Sequence, residues 1–236
     1  MEIKSLNCLT PEALDTLLLS LPFYKQVKQE SRAQYDLLLS YSRLLTFEPG
    51  ETLLEEGRRD HWLYFLLRGQ LAVLSGSLSG PRYTVNYITP GEVFGDFSVV
   101  LNEPRTASVV ADSYCKSVLV FGTDFSVFGE LCDFSSISLA SKLIYFRNMV
   151  HNLRWKLEVY RITYPEQDFA NEHRKVSLFT GKKNTVDELK SLHWQACSLA
   201  KLLVRWNSAF QSQVIHEPKT LNGPSLFKVS QGFGVD

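Results

Sequence analysis

The chain has 236 residues, 44% hydrophobic and 21% charged, with zero formal net charge. It is long enough to bury a sizeable core and too apolar for a disordered segment. The charge is uneven: residues 1–136 hold eleven Lys and Arg against seventeen Asp and Glu, and residues 137–236 hold fourteen against eight. An acidic front and a basic back fit either two regions with different partners or two halves that complement each other. Cys8, Cys115, Cys132 and Cys197 are scattered with no CxxC pair. Neither a zinc site nor a disulfide scaffold is therefore expected, and the usage fits a reducing cytoplasm. Glu2, Lys4 and Glu12 interrupt the N-terminus, so no signal peptide is expected, and no apolar run approaches a membrane span.

Residues 1–43 read as N-terminal helices. Thr10 is placed to cap one whose first residue is Pro11, with Leu14, Leu17, Leu18 and Leu21 at helical spacing. Pro22 breaks it, and a second helix carries Tyr35, Leu38 and Leu39. From residue 44 the texture changes. Short β-rich runs occupy 44–47, 52–55, 62–68, 70–75, 82–88, 105–111 and 115–121, punctuated by Pro49-Gly50, Gly57, Gly69, Pro90-Gly91 and Gly95. Many short strands with glycine turns predict a sandwich or roll over residues 44–135, with a hairpin tip at 75–81 and a short helix at 124–131. With the flanking helices, the fold class is α+β.

Residues 136–163 read as one long helix. Leu139, Leu143, Phe146, Val150, Leu153, Leu157 and Tyr160 alternate four and three apart, the heptad pattern of a two-stranded coiled coil. The seam predicts a homodimer; the alternative is that it packs on its own β-domain. Residues 164–236 form a C-terminal helical region. Pro165 ends the long helix, and 166–184 are polar. Thr185 with Glu188 makes a capping box for a helix running to about residue 211. The tail from His216, rich in Pro, Gly and Ser, reads as loose.

The chemistry concentrates in residues 94–111, which read as a phosphate cradle. Gly95 lets the backbone turn tightly beside a ligand. Residues 96–101 make a short helix whose first N–H groups face an anion. Arg105 returns with a guanidinium able to grip two phosphate oxygens, and Thr106 adds a hydroxyl beside it. The Asp96 carboxylate near a phosphate is useful only as acceptor for a sugar hydroxyl, and phosphate plus ribose hydroxyl means a nucleotide. The candidate ligand-binding residues are Phe94, Gly95, Asp96, Phe97, Ser98, Arg105, Thr106 and Ala107. Phe94 and Phe97 read as core side chains rather than base-stacking ones.

Residues 46–121 resemble the cyclic-nucleotide-binding domain shared by the catabolite-activator family, cAMP-dependent kinase regulatory subunits and cyclic-nucleotide-gated channels. The resemblance is carried by the run Phe47 to Glu51, by Glu56-Gly57, by Tyr64 to Val73, by Phe94-Gly95-Asp96 and by Pro104 to Ala107. Arg105 to Val109, with Ala111, Tyr114 and Cys115, is close to the channel version. The resemblance implies that Arg105 binds the exocyclic phosphate oxygens and that Thr106 supports the phosphate. The family's ribose-holding glutamate falls on Asp96, one methylene shorter. That oxygen either misses the ribose hydroxyl or reaches it through a water. Losing a hydrogen bond to a charged group costs about 1.5–3 kcal/mol, enough to weaken micromolar binding toward millimolar. The resemblance also implies base recognition by the roll and the helix after it, where Val150, His151 and Trp155 are candidates.

No catalytic set emerges. His61, His151, His173, His193 and His216 show no HxH, HxxxH or HExxH spacing, and no GxSxG, Walker loop or GxGxxG occurs. A helix-turn-helix would have to lie in Thr185 to Ala196, where Lys190 replaces a small packing residue and Trp194 the turn glycine. Lys182, Lys183, Arg174 and Lys175 would be its phosphate contacts. The expectation is a non-enzymatic, cytoplasmic, homodimeric receptor for cAMP or cGMP, without other cofactor or metal and without membrane insertion. It would relay ligand state to a protein partner through its C-terminal helices. The alternatives are a ligand-regulated transcription factor with a divergent DNA-binding domain, and a β-roll that no longer binds nucleotide and acts as an interaction scaffold.

Overall fold

The structure is a computed structural model that describes residues 2–4, 6, 9–75 and 83–216. Most of the expected hairpin tip and the tail after His216 lie outside the described residues. Three helices open the chain: α1 (Pro11–Leu18), α2 (Pro22–Glu30) and α3 (Arg32–Ser40). Thr10 accepts from the Ala13 N–H, and Pro11 occupies the first helical turn, where a missing donor costs nothing. Two helices follow Pro22 where one was expected. Ser31 is extended at φ −156° and its side chain accepts from the Gln34 N–H, so it ends α2 and caps α3.

The roll consists of two antiparallel sheets. One holds β1 (Glu2–Lys4), β2 (Ser42–Phe47), β9 (Val118–Asp124), β4 (Trp62–Arg68) and β7 (Val93–Phe94), in that order. The other holds β3 (Thr52–Leu54), β8 (Ser108–Ala111), β5 (Leu71–Ser75) and β6 (Tyr83–Ile88). Alternate residues such as Leu45, Phe47, Leu66, Val118 and Val120 point into the core between the sheets. The segment assigned to N-terminal helices also contributes β1, paired Ile3 to Leu45. The run at 105–111 becomes strand only from Ser108. Residues 105–107 form a loop held by Arg105 N–H to the Arg58 carbonyl and Gly57 N–H to the Arg105 carbonyl, both 2.8 Å. The short helix at 124–131 is a single 3-10 turn, Phe125–Phe128.

Two long helices complete the chain, α5 (Leu139–Thr163) and α6 (Val186–His216). They run parallel. Arg147 of α5 pairs with Glu188 of α6, and Arg154 donates to Gln195, each pair separated by the same 41 residues. Parallel packing requires the connection to travel back along α5. Residues 164–185 do so as a strap: Arg154 donates to the carbonyls of His173 at 3.1 Å and Val176 at 2.9 Å, and His173 Nε2 lies 2.8 Å from Glu158. Trp206, 1% exposed, fills the far end against Tyr160, Tyr164 and Phe169.

This arrangement decides between the two readings of the heptad seam. The heptad seam is covered from within the chain. Leu143, Phe146, Val150, Leu153 and Leu157 are buried in one core with α1, α2 and α6, so the homodimer loses the surface it rested on. The heptad rule reads the apolar stripe correctly, but an apolar stripe does not specify whether its partner is another chain. The segment from Thr185 to Ala196, the one place for a helix-turn-helix, lies at the start of the single helix that the capping box predicts. Residues 186–216 form one continuous helix through Lys190 and Trp194, and the capping box sits where it was expected, with the Glu188 N–H donating to Thr185. The Glu188 carboxylate accepts from Asn184 N–H rather than from the cap residue itself. No described helix is long and apolar enough to cross a membrane.

Candidate functional site

A cavity opens between the roll and the two long helices. It has an open mouth, and with the solvent space of that mouth included its empty volume is about 760 Å³. All eight residues singled out from the sequence line it. Its floor is built by the turn from β7 into α4 (Asp96–Leu101) and by the loop before β8.

Gly95 carries that turn. Its φ of +79° is left-handed, and a Cβ placed there would meet Arg105 Nη1 at 2.6 Å. Both the backbone conformation and the close approach therefore need glycine. Arg105 is 4% exposed. Its Nη2 pairs with Asp60 and donates to the Trp62 carbonyl at 2.7 Å, its Nε donates to Asp60 at 3.4 Å, and its Nη1 donates to the Gly95 carbonyl. A guanidinium has five N–H groups, so one remains for a ligand. The two-pronged phosphate grip expected from the sequence is not what this arrangement offers. Arg105 supplies positive charge and a single donor, and its orientation is imposed by Asp60. No motif or spacing marks Asp60 in the sequence, since it lies 45 residues away from Arg105.

Asp96 is 5% exposed and starts α4. Burial pushes its carboxyl above the ordinary value; Lys156, its own and the Phe97 N–H groups, and Arg105 act in the opposite sense. It thus serves α4 as an N-terminal acceptor while lining the cavity. On the far side of Asp96 the Tyr145 hydroxyl is buried without a hydrogen-bond partner, and it too is held well above its usual range by burial, with Asp96 adding to the effect. The Ser98 hydroxyl turns back to the Gly95 carbonyl at 3.2 Å. Phe94 stacks on Tyr64 in the roll core, as a core residue should.

The roof comes from residues the sequence did not suggest: Lys156 and Tyr160 of α5, and Leu203 and Asn207 of α6. The expected base-covering residues do not line it. Val150 is buried in the helical core, while His151 is exposed and Trp155 is 58% exposed. Each roof pair is four residues apart and so shares a helix face. That spacing is present in the sequence, but the parallel register that brings the two faces over the cavity is not.

An antiparallel β-roll whose strand–glycine–helix turn lies beside a buried arginine defines a small-ligand-binding module. The family model for the Cyclic nucleotide-binding domain matches residues 44–130, and this segment of the chain is a domain of that family. The potassium/sodium hyperpolarization-activated cyclic nucleotide-gated channel 3 of Homo sapiens is 34% identical over 79 residues, 34% of this chain and 10% of the channel. The Cyclic AMP receptor protein of Thermus thermophilus is 28% identical over 92 residues, 39% of this chain and 43% of that protein. The chain thus spans about a tenth of the channel relative's length. Among solved structures, the regulatory domain of Toxoplasma gondii PKA with cAMP aligns at 18% identity and a TM-score of 0.43, covering 57% of this chain and 48% of that one.

Proposed function

We propose that the chain is a non-catalytic cyclic-nucleotide receptor, with cAMP or cGMP as its ligand. The observation that carries this reading is the convergence of Gly95, Asp96, Arg105 and Thr106 on one cavity floor inside a cyclic nucleotide-binding domain. In this reading the ligand phosphate takes the free N–H of Arg105 and the Thr106 hydroxyl, and Asp96 faces the ribose. The resemblances to a cyclic nucleotide-gated channel and a Cyclic AMP receptor protein support the ligand class. The roof supports a relay. A nucleotide below α5 and α6 would bind one helix arrangement more tightly than another and shift the population toward it. A protein partner would then read the outer face of those helices.

Titration calorimetry with cAMP and cGMP, on the wild type and Arg105→Ala, tests the reading. Binding in the micromolar range that is lost in the variant is the expected result. No heat with either nucleotide overturns it. A second reading, a roll kept as an interaction scaffold, is favoured by one observation: Arg105 already has four hydrogen bonds within the chain. A non-binding wild type that gains binding on Asp96→Glu supports that second reading. The transcription-factor alternative is not carried forward, because its recognition segment lies inside α6 and Arg174 is paired with Glu158.

A further inference from the structure

A second cavity lies on the other side of Asp96, among α2, β4, β7 and α5. With the solvent space of its mouth included, its empty volume is about 520 Å³. Pro22 and Gly91 at its rim are exposed, and Asn148 and Asn152 are half-buried. Behind them Phe23, Leu63, Phe65 and Met149 form buried apolar walls. Val93 and Asp96 line both cavities, and Asp96 is the one polar side chain the two share.

The buried polar groups of this second cavity are Tyr145 and Asp96. Tyr145 is 5% exposed and is surrounded by the rings of Phe23, Phe125, Phe128 and Phe146, and its hydroxyl makes no hydrogen bond to any described residue. Burial, with the Asp96 charge adding to it, keeps the proton on that hydroxyl, which is therefore a donor without an acceptor. Buried donors are nearly always satisfied, because leaving one unmade is costly. Phenylalanine would pack in the same cluster of rings without that cost, so packing alone does not account for a tyrosine here. Nearer the rim, the Asn148 amide is already engaged, donating to the Ile144 carbonyl at 2.8 Å and to Gln26 Oε1 at 3.3 Å.

The lining sets the chemistry of an occupant. It includes no described Lys, Arg or His, so an anion finds no counter-charge. A cation would face a single carboxyl that burial already biases toward its neutral form. Phenylalanine and methionine walls favour a flat aromatic ring. A hydroxyl on that ring can accept from Tyr145 and donate to Asp96, whereas a carbonyl could do only the first.

We propose that this second cavity binds a neutral aromatic molecule carrying a hydroxyl group, a phenol in the simplest case, with its ring against Phe23, Phe65 and Met149 and its hydroxyl between Tyr145 and Asp96. Because Asp96 also lines the first cavity, the two ligands compete for one carboxyl, and occupancy of the second site weakens nucleotide binding in the first. The coupling is reciprocal, so the nucleotide weakens phenol by the same factor. The site stands by itself; only the competition rests on the receptor reading above.

The test is a ligand-observed NMR titration of the full chain with phenol, toluene and benzoate. The proteins are the wild type, Tyr145→Phe, which removes only the unpartnered oxygen, and Asn152→Trp, which places a bulky ring at the rim. Circular dichroism verifies that both variants keep their helix content. Saturable binding of phenol to the wild type is expected, and none of benzoate. Tyr145→Phe is expected to weaken phenol about tenfold, the step of one lost hydrogen bond, and to leave toluene within about twofold. Asn152→Trp is expected to remove both. No saturable binding of phenol to the wild type overturns the proposal, since the cavity then holds water only. Phenol affinity unchanged in Tyr145→Phe, a toluene loss as large as the phenol loss, or benzoate binding as tight as phenol each overturns it as well. Calorimetry of cAMP with and without saturating phenol reads the coupling: about fivefold weaker nucleotide binding is expected in the wild type and no change in Asn152→Trp. An unchanged cAMP affinity in the wild type overturns the competition and leaves the site. A wild type that binds phenol but no cyclic nucleotide overturns the receptor reading and leaves the second site standing.

Discussion

The floor and the roof of the cavity are made from different materials. The floor spans residues 94–107, nearly contiguous in sequence, and is held by charge and hydrogen bonds around Arg105. The roof joins α5 and α6, whose facing residues are 41 apart, and is held chiefly by aromatic and aliphatic burial around Trp206. A polar floor is directional and fails when one partner moves. An apolar roof is tolerant of small shifts but fails when volume is removed.

Trp206→Ala should produce the largest effect. It empties the space between Tyr160, Tyr164 and Phe169 and is expected to cost about 3–5 kcal/mol in chemical denaturation. A loss below about 1 kcal/mol would mean that the roof is not held as described. Arg105→Ala leaves Asp60 and the Trp62 and Gly95 carbonyls without their donor. The expected cost is about 1–3 kcal/mol, together with loss of nucleotide binding. Equal stability of the variant would show that the floor does not depend on this guanidinium. Gly95→Ala adds left-handed strain of about 1–2 kcal/mol and pushes the Arg105 guanidinium aside. It should reduce nucleotide affinity while leaving the α5–α6 pairing intact, which hydrogen exchange can separate.

Two smaller effects concern pH and again divide floor from roof. The carboxyl of Asp96 is raised by burial, so its contribution to stability is present below its unfolded value and lost as pH rises through the folded one. Asp96→Asn should therefore increase thermal stability at neutral pH while lowering nucleotide affinity. A variant less stable than wild type at neutral pH would contradict that sign. Glu158 is the opposite case. Hydrogen bonds from Arg161, Arg174 and His173 hold its carboxyl well below the usual range. Its contribution is present above the unfolded value of about 4.3 and is lost as pH falls below it toward the depressed folded value. Glu158→Gln should flatten the acid limb of the stability profile, and an unchanged limb would show that the strap is not pinned there.

Much of the floor is legible in the sequence. The helix at 96–101, the glycine before it and the convergence of Phe94 to Ser98 with Arg105 to Ala107 all follow from local rules: glycine for a left-handed turn, a short helix after it, a return loop. The strand at 62–68 is visible for the same reason, as an apolar run between turn signals. The division of α2 from α3 is hidden because a serine cap is ambiguous inside a helical pattern, and β1 because a three-residue strand carries almost no periodicity.

What the sequence by itself determined is the family of the roll, the eight residues of its floor and the amphipathic character of α5 and α6. The family came through the resemblance carried by motifs from Phe47 to Ala107, while the floor residues and the apolar stripes depend on neighbours within a few positions, where backbone sterics and hydrophobic period act directly. What only the tertiary structure decided is the destination of each apolar face. The seam of α5 closes on α6 rather than on a second copy, Asp60 orients Arg105 from 45 residues away, and Asn207 arrives over the cavity. Hydrophobic burial is non-directional, so a stripe of apolar side chains fixes that a partner is needed but not which one. The strap at 164–185, by sending α6 back parallel to α5, made that choice.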